Sequence, residues 1–109
     1  WIDSPKPNEY LSGKFTVQGW AFNEDLGIES IQIMFDGELV AHANYGLERM
    51  DVASAMQVKN EPNSPNLGFH AELETANFRN GKHQLELILV DSQGISTKYG
   101  RRSIEIKNL

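Results

Sequence analysis

Apolar residues in this chain recur with a period of two. Phe15, Val17 and then Ala21 alternate with Lys14, Thr16 and Gln18, and Ile31, Ile33 and Phe35 alternate with Gln32 and Met34. Such alternation puts one apolar face on each of two extended strands. Asp36-Gly37 follows and leads into Leu39 to Tyr45, where Leu39, Ala41, Ala43 and Tyr45 share one side. Asp-Gly between two such runs predicts a two-residue hairpin, because both central residues need positive φ. Phe69, Ala71 and Leu73 alternate with His70, Glu72 and Glu74 beyond Gly68. After Asn80-Gly81, the stretch His83 to Val90 turns Leu85, Leu87 and Leu89 inward, and Ile88 and Val90 on its other side predict a central strand covered on both faces. The last run, Ile95 to Ile106, alternates only if Gly100 is a bulge that resets the register before Ile104 and Ile106.

The remaining segments punctuate these strands. Pro5 and Pro7 confine any strand in Ile2 to Gly13 to an edge or to short pieces. Val52, Ala53 and Met56 stand at helical spacing behind Asp51, which predicts one short helix over Met50–Met56 with Asp51 as its N-cap. Lys59 to Asn66, with two prolines, reads as a mobile loop. About seven short strands, with the helix inserted after the fourth, predict an all-β antiparallel sandwich of immunoglobulin-like or fibronectin type III-like type. A small barrel of the oligonucleotide/oligosaccharide-binding kind gives a similar strand count and stands as the alternative.

The 109 residues are read as one domain, residues 1–109. With 39% apolar and 23% charged residues, the chain holds a core without help from metal or disulfide. The absence of cysteine removes thiol chemistry and cysteine-based zinc sites. A net charge of −5, with no basic cluster larger than Arg101-Arg102, opposes a nucleic-acid partner. No apolar run reaches the length of a membrane-spanning helix, so membrane insertion is not expected. Because the chain opens on Trp1 without an initiator Met, it is read as cut from a longer multidomain protein.

Gly19-Trp20-Ala21, Asp36-Gly37, Tyr45-Gly46, Arg49 with Asp51-Val52, Gly68-Phe69, Gly81 with His83, and Asp91 with Gly94 occur in this order. Over nearly its whole length the chain thereby resembles a bacterial Ig-like module. One departure is Met50, where the pattern often has Pro between the Arg and the Asp. The resemblance implies a non-catalytic accessory module, a structural spacer or interaction domain in a larger bacterial protein that is secreted or surface-associated. Such units often stand beside glycan-acting or proteolytic domains. It brings no catalytic residues, and it makes neighbouring domains of the same polypeptide the expected partners, with a glycan or surface protein second.

Individual residues sharpen these expectations. An exposed Trp20, extended by Tyr45 or Tyr99, would make an aromatic platform, which is the alternative function of a carbohydrate-binding module. Strict alternation points Trp20 and Phe22 outward, whereas a bulge at Gly19 would turn both inward. The inward placement is preferred, since an exposed Trp-x-Phe pair invites aggregation. Arg49 and Asp51 are read as a structural clasp at the helix start. Asn23-Glu24-Asp25, Asp91 and Asp3 offer the hard oxygen donors that calcium takes, but they match no defined loop motif. No cofactor is therefore expected, with calcium the one candidate ion. His42, His70 and His83 lie on three strands without metal-ligand spacing. His83 falls in phase with Leu85 as a core imidazole, and His42 and His70 fall on solvent faces. No GxSxG elbow is present, and Glu72 and Glu74 share one strand face as solvating charge.

Overall fold

Asp36 and Gly37 take φ of 53° and 84° and join β4 (Ile28–Phe35) to β5 (Glu38–His42), the hairpin that the sequence predicts. The computed structural model describes residues 1–57 and 61–108. Around this hairpin two sheets form. One contains β1 (Ile2–Ser4), β3 (Lys14–Trp20), β7 (Gly68–Glu74) and β6 (Asn44–Leu47), in the order β1-β3-β7-β6. The other contains β2 (Tyr10–Leu11), β9 (Ser96–Ile106), β8 (Gly81–Asp91), β4 and β5, in the order β2-β9-β8-β4-β5. Pairing is antiparallel except between β2 and β9. The strand β8 is central to its sheet, as its two apolar faces predict.

The described residues hold nine strands, two more than the sequence count, for physical reasons. The proline-bearing N-terminal stretch supplies two short pieces, one to each sheet. The run Leu39 to Tyr45 divides at Ala43, so that β5 stays beside β4 while β6 crosses to pair with β7. A register shift between Ile33 and Met34 sets Leu39 outward, exposed, and brings Val40 and Ala41 against the core instead. The helix α1 (Met50–Ala55) follows β6 and buries Val52.

Between the sheets, Val17, Ile31, Ile33, Leu85, Leu87 and Ile106 are completely shielded from water. Burial of this apolar surface stabilises the sandwich by roughly 25 cal/mol per Å². Gly100 is a bulge at φ +73°: Leu85 lies opposite Arg102 but Leu87 opposite Tyr99, one residue more on β9 than on β8. That extra residue returns Ile104 and Ile106 to the core. Of the loop expected over Lys59–Asn66, Lys59 and Asn60 lie outside the described residues. Glu61 to Asn66 forms two successive turns, closed by Ser64 N–H to Glu61 O and Asn66 N–H to Asn63 O.

Candidate functional site

The pairing of β3 with β7 runs without interruption from Lys14 through Gly19 to Trp20. The bulge expected at Gly19 is therefore absent from this ladder, and the irregularity lies on the β1 side, between Ile2 and Ser4. Gly19 is buried against β1, where a Cβ would run into the backbone carbonyl of Trp1. It is bare because β1 crosses there, not because the strand bulges. Trp20 is consequently half-buried rather than turned fully into the core, and its ring lies parallel to that of Phe22, 5.9 Å apart with 6° between planes.

Trp20 lies across a shallow depression of about 190 Å³ from Tyr99, with Trp1, Ala21, Phe22, Met56 and Leu89 completing its lining. The Gly100 bulge puts Tyr99 opposite Leu87, on the inner side of its sheet. Trp1 and Tyr99 remain 54% and 45% exposed. Tyr45 does not join them. Its hydroxyl donates to the Ala21 carbonyl at 2.8 Å and its ring packs against the core. Burial, followed by the nearby Glu61 carboxylate, pushes its phenol well above the ordinary tyrosine range.

Arg49 makes a fork. Its Nε and Nη2 donate to the two carboxylate oxygens of Asp51 at 3.0 and 2.9 Å, and its Nη1 donates to Asp3 Oδ2 at 3.0 Å. The N-cap position belongs to Arg49, without a side-chain cap bond, so the expectation of Asp51 as N-cap is corrected: its carboxylate is taken by the guanidinium. Hydrogen bonds from Arg49 hold the Asp51 carboxyl down at about 2.

The calcium donors are not gathered. Among the described residues no three His, Cys, Asp or Glu side chains are grouped to hold a metal ion. Asp3 is engaged by Arg49, and Asp91 Oδ1 accepts the N–H groups of Gln93 and Ile95 within its own turn. Nor are the histidines together. His42 is exposed, while His70 is half-buried with Nδ1 shielded and unpaired among the described residues, a correction to its expected solvent face. His83 is buried, with Nδ1 2.7 Å from Asp36 Oδ2 and Nε2 2.9 Å from the Arg79 carbonyl. Desolvation acts upward on the Asp36 carboxyl, but the Gln84 N–H and then His83 outweigh it and lower it.

Glu61 carries no motif in the sequence yet is buried. Its carboxylate accepts the N–H groups of Asn23 at 2.6 Å and Asn63 at 3.0 Å, fastening the loop before β4 to the turns before β7. Only its place in a Pro- and Asn-rich stretch beside polar neighbours signals such a role.

No protein-family model matches the sequence, and no curated protein matches it. Solved structures do. A structure of the Clostridium thermocellum CbhA fibronectin(III)-like modules aligns with 99% of this chain and 96% of its own, with a TM-score of 0.66 at 16% identity. The endo-beta-1,4-mannanase from Thermotoga petrophila aligns with 99% of this chain at a TM-score of 0.67 and 14% identity, and the match spans only 19% of the mannanase. The order β1-β3-β7-β6 is that of strands A, B, E and D in an immunoglobulin sandwich, facing a sheet built on C, F and G. The chain thus has the immunoglobulin-like β-sandwich fold of a fibronectin(III)-like module.

Proposed function

We propose that this chain is a non-catalytic accessory module, one domain of a longer bacterial polypeptide in which it spaces or contacts its neighbours. The observation that carries the reading is the end-to-end match to a fibronectin(III)-like module, together with a match to one fifth of a mannanase that holds much else besides. Since a sandwich fold hosts many functions, the reading rests on modular context and not on a reactive site. In this reading the parent protein is secreted or displayed at the cell surface, and the first partners are its other domains. The surface shared by Trp20 and Tyr99 favours a second role, contact with a glycan.

The experiment compares the parent polypeptide with a version lacking residues 1–109. The activity of the other domains is expected to persist with lowered thermal stability, and the isolated chain is expected to leave glycoside, peptide and ester substrates unconverted. Turnover of any of these by the isolated chain would overturn the proposal.

A further inference from the structure

We infer that the depression between Trp1, Trp20 and Tyr99 seats one uncharged sugar ring of an oligosaccharide, an inference that rests on the glycan-contacting role. Among the described residues its lining carries no carboxylate, ammonium or guanidinium side chain, and the nearby Arg102 guanidinium is spent on the Trp1 ring and the Pro5 carbonyl, so the lining favours an uncharged ligand. The backbone nitrogen of Trp1 donates to the Trp20 carbonyl at 2.8 Å. What the lining offers is aromatic: two indoles, a phenol ring and Phe22. Indole and phenol combine an apolar body with a polar tip, which matches the apolar C–H face and the hydroxyl rim of a pyranose. Trp20 is half-buried, and among the described residues its Nε1 neither makes a hydrogen bond nor is fully shielded, which leaves this donor for a ligand hydroxyl.

The rings are held in place before any ligand arrives. Trp20 is stacked on Phe22, and the Arg102 guanidinium lies 6.0 Å over the Trp1 ring while donating to the Pro5 carbonyl. Prior fixation reduces the ordering cost of binding. About 190 Å³ admits one ring, not an extended chain, so the contact is local and weak. An aliphatic protein side chain would leave the free donor unpaired on docking, and this favours the sugar over a protein anchor.

The test follows the indole N–H resonances of the two tryptophans while the chain is titrated with neutral glucose-, mannose-, xylose- and N-acetylglucosamine-based oligosaccharides. At least one is expected to shift both resonances with a Kd of about 1 mM. Tyr99→Ala should weaken that binding about tenfold without lowering the melting temperature, which marks loss of a contact and not of the fold. Trp20→Ala should abolish it. Tyr10→Ala, which removes an aromatic ring 63% exposed elsewhere, should leave it unchanged. If no sugar in the panel moves either indole, or if binding survives Tyr99→Ala at full strength, the inference is overturned. Failure here without turnover by the chain leaves the accessory reading intact.

Discussion

Ile2 packs into the space that a side chain on Gly100 would occupy: a Cβ there would stand 3.0 Å from Ile2 Cδ1 and 3.4 Å from its Cγ1. On its other side Ile2 is the strand partner of Gly19, so the first strand is admitted to the sandwich between two bare Cα positions. Ile2 itself is only 1% exposed. A three-residue strand contributes few ladder bonds, and within it Ile2 is the side chain that is buried.

Gly100→Ala should therefore destabilise the chain by about 2–4 kcal/mol. The left-handed backbone costs a side-chain-bearing residue roughly 1–2 kcal/mol, and crowding of Ile2 adds a further packing term. Gly94→Ala separates the two effects, since Gly94 has φ +81° with nothing within 4 Å of its Cβ position. It should cost only about 1–2 kcal/mol. Denaturant titration of both variants checks the difference, and equal losses would show that Ile2 yields without resistance.

Gly19→Ala tests the other side of the same strand. The added methyl would meet backbone, the Trp1 carbonyl, which cannot swing aside as a side-chain tip can. The expected outcome is release of β1 before global unfolding. Amide exchange reads this directly: Trp20 N–H, which donates to Trp1 O at 3.0 Å, should lose protection while Val17 N–H in mid-β3 keeps it. Uniform loss across the sheet would show instead that β1 and the core unfold as one unit.

Acid should loosen the Arg49 fork. The folded carboxyl of Asp51 lies at about 2, below its ordinary 3.8. Since the folded value is the lower, its contribution is fully present above about pH 3.8 and is lost as pH falls toward 2. Melting temperature measured from pH 5 to pH 2 should fall more steeply for the natural chain than for Asp51→Asn. Asp51 is exposed, so the difference is expected to shrink in high salt. Parallel curves at low salt would show that the fork adds nothing to stability.

Alternation in the sequence is enough to locate most strands, because each inward side chain is a local fact about its own neighbours. Gly100 is legible for that reason: Ile104 and Ile106 fall out of phase with the residues before it unless one residue is inserted. The crossing at Ala43 is not legible, since Leu39, Ala41, Ala43 and Tyr45 keep perfect alternation while the backbone passes from one sheet to the other. Periodicity reports the face of a strand but not the sheet that the strand joins. Gly19 is ambiguous for a related reason. A glycine in a strand marks either a bulge or a close backbone approach, and only the position of β1 decides between them. The sequence offers Tyr45 and Tyr99 alike as companions of Trp20, and the choice of Tyr99, 79 residues away by its number, follows only from where the strands run in three dimensions.

His83 holds the tip of the β4–β5 hairpin to β8, and its removal should be felt at Asp36. The imidazole lies 5.8 Å from the ring centre of Phe35 and 6.4 Å from that of Phe78, while both nitrogens face acceptors, a carboxylate and a backbone carbonyl. Only the doubly protonated ring satisfies both acceptors by donation. His83→Leu retains much of the packing but leaves the Arg79 carbonyl without that donor, and it should cost about 1–3 kcal/mol. The Asp36 carboxyl should then titrate at higher pH, although the Gln84 N–H still holds it partly down. Because the folded carboxyl titrates below its unfolded value, it stabilises above about pH 3.8 and that support fades as pH falls through the folded value. The variant should therefore show a shallower acid limb as well as a lower plateau. Carbon NMR of the Asp36 carboxyl in the two proteins measures the shift, and an unchanged midpoint would assign its depression to the Gln84 N–H and the Arg79 charge without His83.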